Sequence, residues 1–507
     1  MREKILESWK TDRLYTAMVG CWLITVVSAF LGLAMFPITV PALGTLYGFR
    51  FFLPITAVLY LWWAIKHKEP FWRGISLLEK WCYVFCILLL IYGALSLFRA
   101  IEFAWTFRKL FNLTYDLILF LLMIRLCRRP TVREMTMGVC AIMLGIQFAL
   151  GLYEVFFGGI WNPGYDNFKR VFLFNGLFQF PVVTSGNTNN FSTIILFTFA
   201  ALLMWKMKPQ SKWTMVTRVW ITVYGILAYF IPMISNGRLC SLGSIMVLFG
   251  LLVCFLCSKQ RGKILIPLLI VCGLLFGEFA NRYYYLMPQI QAYIQAVQAE
   301  REDGSLPSRP DTSPAQRPTI DLQKPNQQNL QDEFFSVDEK TGETVLRQDA
   351  SGGVRTLLLL HAGRCFLESY GMGVGLGNTE LLARDRQVIP DAAIWSIHCF
   401  LARLIADYGI FALIPLTVIV FLLLRTLFQG FWAALRKREQ DQIGYLILVF
   451  MTLLIFPIVS TASSDAQDIL PMWLYLGSVI IFVNIIKIED VKGKELEPCP
   501  ESSSPVH

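Results

Sequence analysis

Long apolar runs separated by short polar connections fill most of the chain, and the pattern changes character only between residues 281 and 396. Nine runs precede that change, at 15–35, 47–65, 77–98, 109–126, 135–157, 190–205, 216–233, 239–257 and 264–279. Three follow it, at 409–428, 443–460 and 470–486. At about 1.5 Å per residue most of these runs match a hydrocarbon core about 30 Å thick, and the shortest reach about 24 Å of it. Backbone groups there find no water, so a lone segment satisfies them only as a helix. The pattern predicts an all-α polytopic membrane protein with about twelve transmembrane helices and a large extracytoplasmic loop between the ninth and tenth. Residues 1–280 hold the first nine helices, 281–396 the loop, 397–487 the last three helices, and 488–507 a polar, disordered cytoplasmic tail. The first run lacks a small-residue cleavage site and reads as a retained span.

Inside the loop, residues 300–353 are rich in Pro, Gln, Asp, Ser and Arg and poor in aromatics, which predicts a disordered insert. Before it, Arg282 and Tyr283 to Tyr285 form an interfacial aromatic anchor. After it, Leu357, Leu358 and Phe366 recur at helical spacing beside Arg355, His361 and Arg364, the pattern of a helix lying on a bilayer surface. Four alternate glycines follow, Gly371, Gly373, Gly375 and Gly377, then Asn378. Glycine admits positive φ and lets another segment or a ligand approach the backbone closely. The chain then passes through His398, Cys399, Leu401, Asp407 and Gly409 into the next apolar run.

Composition agrees with a membrane bundle: 55% hydrophobic residues and 16% charged, with a mean hydropathy of +0.53. A soluble domain of this size carries more charge. The net charge of +9 would fit nucleic acid, but its distribution assigns it to alternate connections: Lys66, Lys68, Arg73 and Lys80; Arg128, Arg129 and Arg133; Lys206, Lys208, Lys212 and Arg218; Lys259, Arg261 and Lys263; Arg436, Lys437 and Arg438. By the positive-inside rule these connections and both termini are cytoplasmic, and no nucleic-acid partner is implied. Most of the twelve cysteines sit in apolar runs and read as small hydrophobes. Cys254 and Cys257 have no second pair that would make a zinc site. Cys365 and Cys399 alone have positions from which to meet outside the membrane, so a disulfide between them is an expectation to test.

Two arginines on the other side stand out. Arg238 follows the turn Ser235-Asn236-Gly237 and opens a run with small residues at Ser241, Gly243 and Ser244. Its guanidinium is suited either to a lipid phosphate, as a snorkelling interfacial side chain, or to a diphosphate ligand held by a planar fork. Arg170 leads a second block that runs through Asn175 and Gly176 to Asn189 and Asn190, either of which would also cap the next helix. His398 is one of four histidines. At a bilayer edge it is either a hydrogen-bonded interfacial residue or a proton acceptor with a pKa near neutrality. The outer loops carry no D-x-D motif or His-Glu cluster, and no Walker A, dinucleotide fingerprint or protease triad signature occurs.

The order of Arg355, the Gly373 to Asn378 bend, His398, Leu401, Asp407 and Gly409 resembles the block shared by the O-antigen ligase and polymerase family. Those membrane enzymes join sugars carried on polyprenyl diphosphate outside the cytoplasmic membrane, and the wall-polymer polymerases of the teichuronic acid system are among them. Cys399 stands where the family usually has Asn. The resemblance implies a metal-independent glycosyltransferase of the bacterial cytoplasmic membrane, needing no cofactor. His398 would be its catalytic base, Arg238, Arg170 and Arg355 its diphosphate ligands, and Gly373, Gly375, Gly377 and Asn378 a backbone bend beside the site. Its partners would be a polyprenyl-diphosphate-linked glycan, the lipid bilayer and other polysaccharide-assembly membrane proteins. A polysaccharide flippase or transporter is the alternative, since about twelve spans with both ends inside is also a carrier layout.

Overall fold

The computed structural model describes residues 12–32, 35–40, 44–69, 72, 75–157, 171–173, 176–178, 181–185, 188–209, 214–234, 238–257, 335–337, 344–346, 351–389, 396–461 and 469–495. The helices are α1 Arg13–Leu31, α2 Gly48–Lys66, α3 Leu77–Ser96, α4 Phe103–Leu126, α5 Pro130–Phe157, α6 Thr188–Lys206, α7 Met215–Ile234, α8 Arg238–Cys257, α9 Ser351–Glu368, α10 Asn378–Asp385, α11 Phe400–Tyr408, α12 Ile410–Lys437, α13 Gln440–Val459 and α14 Leu470–Glu495. Among the described residues nine of them are long and apolar enough to cross a membrane, and the protein is a polytopic helical membrane protein. The expected run 109–126 is helical as part of α4, but its charges set it apart from those nine; 470–486 is the shorter apolar part of α14. The expected run at 264–279, Arg282 with the tyrosines after it, the connection past Cys257 and the tail beyond residue 495 lie outside the described residues.

Local sequence explains where helices begin. The Asp12 carboxylate accepts the backbone N–H groups of Leu14 and Tyr15 at the start of α1. Ser76 and Glu79 close a reciprocal capping box at the start of α3, satisfying two donors the first turn would otherwise leave open. At the same end of the bundle Glu79 pairs with Arg128 at 3.5 Å and Glu69 with Arg129 at 3.0 Å. Arg129 also lies 4.0 Å from the Trp63 ring centroid. The basic connections read from the sequence are thus tied by acidic neighbours where α2, α3, α4 and α5 meet.

The centre of the bundle is α6, with 83% of its apolar window buried against 28–50% for the other eight spanning helices. Its Phe197 ring stacks on Tyr475 of α14 at 4.7 Å. Packing this dense follows from small residues: a Cβ at Gly243 of α8 would come within 2.6 Å of Val459 and 2.8 Å of Leu196. Three short antiparallel hairpins complete the described elements, pairing Ile38–Val40 with Gly44–Leu46, Val171–Leu173 with Gly176–Phe178, and Phe335–Val337 with Thr344–Leu346. The last lies within the insert expected at 300–353 and belongs to a separate compact unit, residues 262–354; all the rest forms the other unit.

Candidate active site

The glycine bend is built as the alternate glycines require. Gly371, Gly373, Gly375 and Gly377 all have positive φ, from 76° to 101°. Gly373 crosses Gly409 closely: a Cβ on Gly373 would run into the Asp407 carbonyl and lie 2.6 Å from the Gly409 nitrogen. That crossing lets Val374 and Gly375 donate N–H bonds to the carbonyls of Ala406 and Asp407, both at 3.0 Å, while Ile410 donates back to Gly371 at 2.9 Å. The bend is therefore a short ladder laid along the junction of α11 and α12.

Two side chains fasten it. Asn378 donates to the carbonyls of Val374 at 2.8 Å and Arg99 at 3.2 Å, and its oxygen accepts the Ile101 N–H at 3.3 Å. Its amide ties the bend to the corner between α3 and α4. Asp407, 2% exposed, accepts the N–H groups of Gly377 at 3.0 Å and Thr379 at 3.3 Å, and the Thr379 hydroxyl at 2.5 Å. Burial pushes its carboxyl up from 3.8 to about 6, against the lowering effect of Thr379, Arg403 and Gly377.

Beneath the bend lies a buried ion network that sequence reading missed. Glu380 Oε1 accepts from Arg403 at 3.0 Å and from the Ser396 hydroxyl at 3.2 Å, and Oε2 faces Lys109 Nζ at 3.4 Å. The side chains are 2%, 5% and 8% exposed for Glu380, Arg403 and Lys109. Lys109 belongs to α4, so the network ties α10 and α11 to the bundle. The charges of Arg108, Lys109 and Asp116 inside an otherwise apolar run were the available signal.

His398 sits half-buried between Ile397 and Cys399, immediately before α11. Phe400, two residues on, is wedged edge-on against Phe456 of α13 at 6.0 Å and Trp473 of α14 at 5.8 Å between ring centroids. Ile397 and Cys399 pack in one cluster with Ala362 and Cys365 of α9. Cys365 and Cys399 are both free thiols; burial raises both, Cys365 to about 12. His361, read from sequence as part of a surface face, turns inward: Nε2–H donates to the Thr379 carbonyl at 3.1 Å, and burial lowers its pKa. The outer face of α9 exposes Leu359, Leu360 and Leu367 instead, an apolar stripe suited to a bilayer interface.

The same helix carries Arg355, half-buried near its other end. Along α9, Arg355 and Cys365 are ten residues apart, about 15 Å. Arg238 opens α8, but its side chain, like all of Arg170, lies outside the described residues.

No protein-family model matches the chain. It is similar to the teichuronic acid biosynthesis protein TuaE of Bacillus subtilis strain 168. The two are 25% identical over 137 residues, which cover 27% of this chain and 28% of that relative.

Proposed function

We propose that the protein is a membrane glycosyltransferase of cell-surface polysaccharide synthesis, joining glycan units carried on polyprenyl diphosphate at the outer side of the cytoplasmic membrane. The observation that carries the reading is that α9, which bears Arg355, packs its Cys365 against the residues flanking His398. In this reading His398 and Arg355 serve the two ends of a diphosphate-linked sugar. His398 takes the proton of an acceptor hydroxyl as that oxygen attacks the anomeric carbon. The bond from that carbon to the diphosphate oxygen breaks, and polyprenyl diphosphate leaves with the electron pair. Arg355, with Arg238 and Arg170, meets the charge that develops on the leaving group. The similarity to TuaE supports a teichuronic acid-like product.

In cells, His398→Ala and Arg355→Ala should each stop chain elongation and accumulate lipid-linked units on the outer leaflet. Polymer of normal length from both variants would overturn the site. One observation favours a carrier instead: Asp116, a buried acidic residue deep within α4. For a carrier, the lipid-linked units of the His398→Ala cells would stay on the inner leaflet.

A further inference from the structure

Asp116 lines a cavity of about 370 Å³ where α1 ends and α2, α6 and α14 begin, against the middle of α4. Neither His398 nor any of the three arginines above is among its lining residues. Its polar wall is one face of α4, Asn112 and Asp116 at i and i+4, which continues the face of Lys109 in the ion network, three residues before Asn112. Arg50 donates to the Asn112 oxygen at 2.7 Å and lies over the rings of Tyr47 and Phe111, at 5.3 and 5.5 Å.

The opposite wall is held in place by buried polar residues of α5. The Glu154 carboxylate, 3% exposed, accepts the N–H groups of Val182 and Val183, both at 2.7 Å. Gln147, fully buried, donates to the Phe30 carbonyl at 3.0 Å and the Thr184 hydroxyl at 3.3 Å. Val183 is held at φ +46°, a conformation that β-branched residues avoid and that persists only where surroundings enforce it. Buried acid and amide groups inside a membrane bundle are expensive, and here both serve to fix the turn that brings Thr184 and Ser185 to the cavity. Across from it, Asn190 Oδ1 is buried and has no hydrogen-bond partner among the described residues.

We infer that this cavity binds an uncharged hexopyranose ring. A sugar ring presents hydroxyls at its edge and C–H groups on its face. The cavity offers planar forks and hydroxyls (Arg50, Asp116, Asn190, Thr184) beside aromatic rings (Phe49, Tyr115), the usual mix of an apolar pocket with a few convergent polar groups. The charges of Arg50 and Asp116 offset each other, so a phosphate or uronate would gain no net attraction and would face a buried carboxylate. Phe400 touches Trp473, two residues beyond Pro471 of the cavity wall, so a bound ring would sit beside the segment that carries His398. The inference stands on the cavity itself and does not need the transfer reaction.

The test is saturation-transfer NMR on the full chain in lipid nanodiscs. The probes are methyl β-D-glucopyranoside and methyl N-acetyl-β-D-glucosaminide, with methyl β-D-glucuronide as the anionic comparison. At least one neutral glycoside should receive saturation at its ring protons. The glucuronide should receive at least five-fold less, and Asn190→Leu and Asp116→Asn should each lower the neutral signal at least five-fold. Asn190→Leu removes an unpaired carbonyl, so its unfolding temperature should match the parent, which separates lost binding from lost folding. No transfer to either neutral glycoside, transfer untouched by both variants, or sodium binding that depends on Asp116 without glycoside transfer would each overturn the inference. The transfer reaction is decided separately, by chain elongation in His398→Ala cells, and would survive a failure of sugar binding here.

Discussion

Removing Glu380 should loosen the layer that carries His398 more than any other single truncation near the site. In Glu380→Ala, Lys109 and Arg403 keep their charges at side-chain exposures of 8% and 5%, with the carboxylate that held both of them gone. Breaking a buried pair in this way costs about 3–5 kcal/mol. At about 1.4 kcal/mol per factor of ten, local opening of α10 and α11 should rise from roughly 10²-fold to several thousand-fold. Cys365 and Cys399 report that opening, because both are buried thiols in the cluster beside the network. Pulse labelling with a maleimide, read site by site by mass spectrometry, should show both thiols slow in the parent and faster by that factor in the variant. Replacing all three charges at once, by Lys109→Met, Glu380→Leu and Arg403→Met, removes the imbalance and should restore slow labelling, since apolar substitution of a whole buried network is often neutral. Labelling unchanged within about three-fold in Glu380→Ala would refute a load on the network of 3–5 kcal/mol.

Other expectations follow from the bend. Asp407 has its carboxyl lifted to about 6 by burial, so the folded state holds this proton more tightly than the unfolded chain. Its contribution to stability is full below about pH 4, falls as the pH rises to about 6 and is level above that; Asp407→Asn should flatten this slope in unfolding midpoints measured against pH, and an unchanged slope would remove Asp407 as its source. Gly409→Ala puts a Cβ on a residue at φ 59° and ψ −137°, 2.6 Å from the Gly373 nitrogen. It should lower stability by at least about 1–3 kcal/mol from backbone strain alone, visible in the thermal unfolding of purified protein; a parent-like midpoint would show that the crossing yields. Cys365 and Cys399 should remain thiols in oxidising medium, each taking one alkylating group only after denaturation, and an intact disulfide-linked peptide would contradict their free state.

The spans were legible in the sequence because a bilayer imposes a single requirement, apolar length, that hydropathy reads directly. The glycine bend was legible for a related reason: four alternate glycines leave few explanations besides positive φ and close approach, and both are observed. What hydropathy hid was α4. The run at 109–126 passed as one more span, yet Lys109, Asn112 and Asp116 lie on one face and hold both the ion network and the cavity wall. Glu380 and Arg403 gave no signal at all, being ordinary charges in a polar stretch until folding buries them together. Asp407 faces back onto Gly377 and Thr379. His361 turned from a surface residue to a buried donor because the carbonyl of Thr379 lies within its reach, a contact between segments that no local pattern encodes.

In the proposed reaction sugar leaves polyprenyl diphosphate at this site, and stoichiometry tests that step most directly. Purified protein in nanodiscs, given a polyprenyl-diphosphate-linked oligosaccharide and no nucleotide, should release one polyprenyl diphosphate for each new glycosidic bond, with both quantities lost together in His398→Ala. Glycan that crosses the bilayer intact, with the lipid diphosphate still attached and no new bond formed, would contradict it.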